Sequence, residues 1–124
     1  MMTAIDDQLV LLLEIQDLNA KAREFEVGSD LGEIEESHFG IDPDEAKAAL
    51  RAKVEELEGR LDDRIRRRYE RIAGHRDRVV VPVLNGTCYG CFVQVASARA
   101  GEQDPNASLQ SCEHCGRFLY FTDR

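Results

Sequence analysis

Four cysteines constrain this chain more than anything else in it. Cys88, Cys91, Cys112 and Cys115 form C-x-x-C, a gap of twenty residues, and a second C-x-x-C, all within the last 37 residues. Two residues between thiols let one tight turn aim both sulfurs at a single cation, and two such turns complete a tetrahedron. The pattern therefore reads as a closed four-thiolate zinc site with no open position for water. Two disulfides, a thioredoxin-like redox pair and an iron–sulfur cluster are the competing readings. The first needs an oxidising compartment, the second a βαβ context that is absent, and the third fits this spacing less well. Gly90 inside the first turn and Gly116 after the second are expected to take positive φ, turning backbone N–H groups toward the sulfurs. His114, between Cys112 and Cys115, reads as a solvated turn residue; His38 and His75 carry no role.

The segment around the cysteines is expected to be a small β structure. Val79–Leu84 is short and β-branched, and Asn85-Gly86 marks a turn. Pro82 has no N–H to give a ladder, which points to an edge strand or a strand end. Phe92–Val95 reads as a second strand, residues 99–108 as a polar loop, and Phe118–Phe121 as a last strand. So few residues cannot bury a self-sufficient core, so the metal must supply much of the folding free energy. Tyr89, Phe92, Phe118, Tyr120 and Phe121 serve as core, or some of them stack on bases.

Upstream, the apolar periodicity is helical. Thr3 is a candidate cap for a helix over about 3–27, with stripes through Ile5, Leu9, Leu12 and through Leu11, Ile15, Leu18, Ala22, Phe25. A loop over about 28–41 holds three glycines. Asp42 as N-cap, Pro43 at the first helical position and Glu45 closing a capping box start a second helix over about 42–75. Its stripe runs Ala46, Leu50, Val54, Leu57, Leu61, Ile65, Tyr69, Ile72. The expected fold is α+β: an N-terminal antiparallel two-helix coiled-coil hairpin (residues 1–78), then a C-terminal β zinc ribbon (79–124). A lone hairpin buries little, so a homodimer through it, or packing on the ribbon or a partner, is a further expectation.

Charge is unevenly placed. The net charge of −8 divides into −11 over residues 1–45, +4 over 46–78 and −1 over 79–124. Acids Asp30, Glu33, Asp42 and Asp44 crowd the loop end of the helices, and Arg64, Arg66, Arg67, Arg68 and Arg71 the far end of the second. The helix dipole and i,i+4 pairing with Asp62, Asp63 and Glu70 account for such a distribution. The functional reading is that these arginines, with Arg117, bind phosphates or an acidic protein surface. No run is long and apolar enough for a membrane span, and the acidic N-terminus lacks the positive charge of a signal peptide, so a cytoplasmic protein without membrane insertion is expected. No Ser/His/Asp pattern, Gly-rich phosphate loop or open metal position is present, so the expectation is a non-enzyme.

Helices followed by Val-Val-Val-Pro-Val-Leu-Asn-Gly-Thr-Cys-Tyr-Gly-Cys (79–91) and Cys-Glu-His-Cys-Gly-Arg-Phe-Leu-Tyr (112–120) resemble the bacterial four-cysteine zinc-ribbon, coiled-coil family. The resemblance covers roughly residues 65–121. Its C-terminal domain is described as a zinc ribbon or RING-like domain that binds nucleic acid. This chain departs from the family in its shorter coiled coil, in Phe92 where a His often follows the second cysteine, and in Ala96-Ser97 where a Leu-Pro is frequent. The resemblance implies a non-enzymatic adaptor whose partners are RNA or DNA, an alternative sigma factor, or secretion and flagellar proteins. A protein-only scaffold is the main alternative. A third reading is a factor entering the RNA polymerase secondary channel, with Asp30, Glu33, Asp42 and Asp44 as an acidic tip.

Overall fold

A computed structural model describes residues 5–27, 42–76, 78–95 and 104–122. Three α-helices are followed by a mixed four-stranded sheet: α1 (Asp7–Val27), α2 (Pro43–Glu58), α3 (Asp63–Ala73), β1 (Val80–Leu84), β2 (Thr87–Cys88), a 3-10 turn (Pro105–Ala107), β3 (Gln110–Ser111) and β4 (Phe118–Phe121). The chain divides into two compact units, one of residues 14–60 and one of residues 1–13 with 61–124. Helix α3 thus belongs with the cysteines.

Within residues 14–60 the buried side chains Ile15, Ala22, Val54 and Leu57 lie on the apolar stripes read from the sequence. Asp42 caps α2 as expected: it has extended backbone, its Oδ1 accepts the Asp44 N–H at 2.9 Å, and Pro43 follows it. The expected single helix over 42–75 is instead two helices. After α2 the chain tightens, with Arg60 N–H donating to the Leu57 carbonyl at 3.0 Å. Asp62 then turns extended (φ −61°, ψ 148°) and opens α3. Two things hold the break. Leu61 is buried, and the Asp62 N–H, freed from the α2 ladder, donates to Gln8 Oε1 at 2.8 Å. The apolar stripe runs through the break without a missed step, so periodicity alone does not reveal it.

In the cysteine-bearing unit α1 starts at Asp7, and Asp6, not Thr3, is its cap: Oδ1 accepts the N–H groups of Gln8 (2.8 Å) and Leu9 (3.2 Å). Thr3 lies outside the described residues. The Asp6 N–H donates to the Asn106 carbonyl at 2.9 Å, tying the helix start to the 3-10 turn.

The strand order is β2-β1-β4-β3. Strands β1 and β2 form a hairpin across Asn85-Gly86, both at positive φ (53° and 76°), as a type I′ turn requires. Strand β1 also pairs in parallel with β4, Val80 opposite Phe118 and Val83 opposite Phe121. Pro82 therefore sits in an interior strand, contrary to the edge or end expected. Pairing to β4 uses the odd-numbered residues: Phe118 N–H donates to Val79 O and Thr122 N–H to Val83 O. The Pro82 nitrogen faces the other way, where the β2 ladder has already ended, and its carbonyl still accepts from Tyr89 N–H at 2.9 Å. The expected strand Phe92–Val95 shrinks to one bridge, Thr87 with Gln94.

The sheet has two covered faces. On one, Val81, Val83, Leu119 and Phe121 pack with Cys88 and Cys112. On the other, Val80 and Phe118 are buried, and the Arg68 guanidinium lies over the Phe118 ring, 5.7 Å from its centroid. Asn106 completes the sheet without being a strand residue. Its side chain exchanges two 2.8 Å hydrogen bonds with the backbone N–H and C=O of Phe121.

Candidate metal centre

The two C-x-x-C segments fold into two turns of the same design. In each, the N–H of the residue after the second cysteine closes on the carbonyl of the first: Phe92 to Cys88 at 2.7 Å, Gly116 to Cys112 at 2.9 Å. The closing residue takes positive φ in both turns. Gly116 takes it at 79°, as expected; in the first turn it falls on Phe92, at 62°, and not on Gly90. Gly90 stands where space is tight instead. A Cβ there would lie 3.0 Å from Val81 Cγ1 and 3.1 Å from Arg117 Cζ.

The four Sγ atoms converge, all within 4.8 Å of one another. Cys88 and Cys115 approach to 3.9 Å, Cys91 and Cys112 to 3.7 Å. A tetrahedron with metal–sulfur bonds of about 2.3 Å has edges of about 3.8 Å, so the four cysteines are positioned to bind one metal ion. All are free thiols, Cys88 and Cys112 buried and Cys91 and Cys115 partly so.

Backbone donors surround the sulfurs. Cys88 Sγ accepts from the N–H groups of Gly90, at 3.4 Å, and Cys91. Cys112 Sγ accepts from those of His114 and Cys115, the latter at 3.5 Å. Burial pushes the Cys88 thiol up to about 12 and raises Cys91 as well. Burial acts the same way on Cys112, but the N–H groups of Cys115 and His114 and the neighbouring thiols outweigh it, and this thiol falls to about 7. One thiolate is thus ready near neutral pH, and binding a cation must displace protons from Cys88 and Cys91. The exposed His114 contributes its backbone N–H.

The arginines separate into three groups. Arg64, Arg67, Arg68 and Arg71, at i, i+3, i+4 and i+7 of α3, line one open groove of about 720 Å³ together with Glu70. Among the described residues Arg64, Arg67 and Arg71 make no ion pair. Arg66 points elsewhere, toward Asp63 at 3.7 Å. Arg117, grouped with them from the sequence, is buried, and its Nη2 donates to the Gly90 carbonyl at 3.0 Å. The one-face grouping of the first four was open to sequence reading by counting around the helix.

Of the acids, Asp42 is occupied as a helix cap and Asp44 follows it in the first turn. Asp30 and Glu33 lie outside the described residues. An exposed apolar tip, which sequence reading left undecided between core and surface, stands on the first turn. Phe92 is 72% exposed, its ring 5.6 Å from that of half-exposed Tyr89, with Val93 beside them. Among the described residues no helix is long and apolar enough to cross a membrane.

No protein-family model matches the chain, and no curated protein does. Two solved structures share its fold. The CT398 protein of Chlamydia trachomatis is 28% identical with a TM-score of 0.52, the match covering 76% of this chain and 44% of that one. The HP0958 protein of Helicobacter pylori is 22% identical with a TM-score of 0.55, covering 80% and 42%. The chain thus spans less than half the length of either.

Proposed function

We propose that the chain is a non-enzymatic cytoplasmic binding module: one structural zinc ion on Cys88, Cys91, Cys112 and Cys115 holds a ribbon, and the arginine face of α3 engages the phosphates of nucleic acid, alone or within the transcription apparatus. The observation that carries this reading is the grouping of Arg64, Arg67, Arg68 and Arg71 around one groove. Four arginines lining one groove with a single glutamate suit a polyanion, because a guanidinium offers a planar fork to phosphate oxygens. The donor set supports zinc, since four thiolates in a tetrahedron suit that ion and leave no position for catalytic water. The helices upstream form the two-helix hairpin in this proposal, a surface for a second copy or a protein partner.

The test is the salt dependence of binding of single-stranded RNA and DNA to the zinc-loaded chain, read by fluorescence anisotropy. Binding should weaken steeply with salt. Replacing Arg64, Arg67, Arg68 and Arg71 by Gln should flatten the log–log slope by about 2–3, at roughly 0.7 per phosphate contact on a single strand. Arg66→Gln should change it little, since that side chain faces Asp63. No binding at low salt sinks the nucleic-acid reading.

A second reading draws on the exposed tip of Tyr89, Phe92 and Val93. An apolar surface of this kind suits a protein partner, which favours an adaptor of the sigma-factor or secretion type. Capture of partners with and without nuclease separates the two: partners that survive nuclease and are lost with Phe92→Ser support the adaptor.

A further inference from the structure

We propose that Arg117 is a positioning residue of the metal centre, acting through the Gly90–Cys91 peptide to set how firmly Cys88 holds the ion. The inference rests on the cysteines being a metal site. Arg117 is the one buried charged side chain among the described residues. Its Nη2 donates to the Gly90 carbonyl at 3.0 Å. That carbonyl belongs to the same peptide group as the Cys91 N–H, which donates to Cys88 Sγ. A guanidinium on the oxygen of an amide draws electron density toward the oxygen and makes the N–H at the other end a better donor. Arg117 therefore strengthens a hydrogen bond to a sulfur that it does not itself touch. The Gly90 N–H donates to the same sulfur at 3.4 Å, so fixing this peptide in place fixes both donors.

Charge points the same way. A dication with four thiolates carries two net negative charges, and burying them is costly without a nearby cation. Arg117 supplies that cation. It makes no salt bridge among the described residues, and its Nε is the buried side-chain polar atom there that lacks a hydrogen-bond partner. A buried guanidinium in that condition is itself expensive, so the anionic centre and the cation relieve each other. The missing side chain at Gly90 fits this arrangement. A Cβ at that position would stand 3.1 Å from Arg117 Cζ, so glycine leaves the guanidinium room to lie against the turn. The second turn has no such buried cation among the described residues, and the effect should be confined to the first.

The experiment compares the full chain with Arg117→Met and Arg117→Lys after zinc loading, with folding checked by circular dichroism. Two readouts are taken: the rate of zinc transfer to a chromogenic chelator, and the order in which the four cysteines are alkylated, mapped by mass spectrometry. With Arg117→Met, release should speed up by about tenfold or more, the usual range for residues supporting a ligand. Cys88 should become the first cysteine alkylated. Arg117→Lys keeps the charge without the planar fork and should fall between; it carries the test if Arg117→Met does not fold. Release unchanged in a folded variant overturns the proposal, and so does a gain in alkylation spread evenly over all four cysteines, which marks Arg117 as packing only. A parent chain that takes up no zinc or cobalt overturns the metal reading and this proposal together. A parent that loads while both variants match it overturns this proposal alone.

Discussion

Phe92 carries a backbone conformation that the equivalent position in the second turn gives to glycine. A left-handed conformation costs a side-chain-bearing residue roughly 1–2 kcal/mol. Phe92→Gly should therefore be tolerated, its relief of strain offsetting the lost contact with Tyr89, with a net change within about 1 kcal/mol. Phe92→Val, β-branched and worse suited to positive φ, should destabilise by about 1–2 kcal/mol or more. Thermal unfolding of the zinc-loaded variants checks both. A second expectation concerns protons. Cys88, raised to about 12, and the raised Cys91 keep their protons at neutral pH, whereas Cys112, lowered to about 7, has half lost its own there. Loading needs thiolates, so zinc affinity should fall as pH is lowered. The slope of log affinity against pH should steepen by about one as pH drops through about 7, where Cys112 adds a proton to be displaced. Calorimetry in buffers of different ionisation enthalpy counts those protons; a count that does not change between pH 8 and pH 6 contradicts the assignment.

At the scale of elements, the parts legible in the sequence are those with local causes. The Asp42-Pro43 start of α2, the Asn85-Gly86 turn and the β4 strand each follow from side-chain chemistry within a few residues. So did the two cysteine turns that make up the four-thiol cluster, because C-x-x-C is itself a local geometry. What escaped depended on distant partners. The break between α2 and α3 hides because Leu57 and Leu61 keep the apolar step, while the signals for it, Gly59 and the Asp62-Asp63 pair, also suit a continuous helix with arginines to neutralise. It is sealed by Gln8, far away in sequence. Pro82 in an interior strand, and Arg117 turned inward to Gly90, likewise depend on pairings between distant segments. Gly59 itself is in right-handed helical conformation (φ −67°), and a Cβ there would meet the Glu56 and Glu55 carbonyl oxygens at 3.4 and 3.6 Å, ordinary contact distances. Gly59→Ala should therefore stabilise the chain, by up to about 1 kcal/mol, as read by urea denaturation. Asn106→Ala should do the opposite. It strips two hydrogen bonds from buried Phe121 backbone groups, at about 1–3 kcal/mol for each group left unpaired.

For the molecule as a whole, the metal is expected to decide whether the cysteine-bearing unit folds. Binding to a four-thiolate site releases about 10–16 kcal/mol, as much as the entire stability of an ordinary domain. Cys112→Ser removes both a ligand and a member of the buried cluster around Val81, Val83 and Leu119. It should abolish stoichiometric zinc uptake and collapse the dispersed amide signals of residues 80–95 and 104–121, while native-like spectra without metal would refute a structural role.

The parallel pairing of β1 with β4 places Val80 beside Phe118, 38 residues further along the chain. No short turn can bring such strands together, so the central ladder of the sheet has to wait for a long loop to close. The two cysteine turns each form locally, one following β1 and the other preceding β4, and a shared ion between them closes that loop. Refolding of this unit should then run at a speed set by ion supply, and a newly made chain short of metal would remain open to proteases for as long as the shortage lasts.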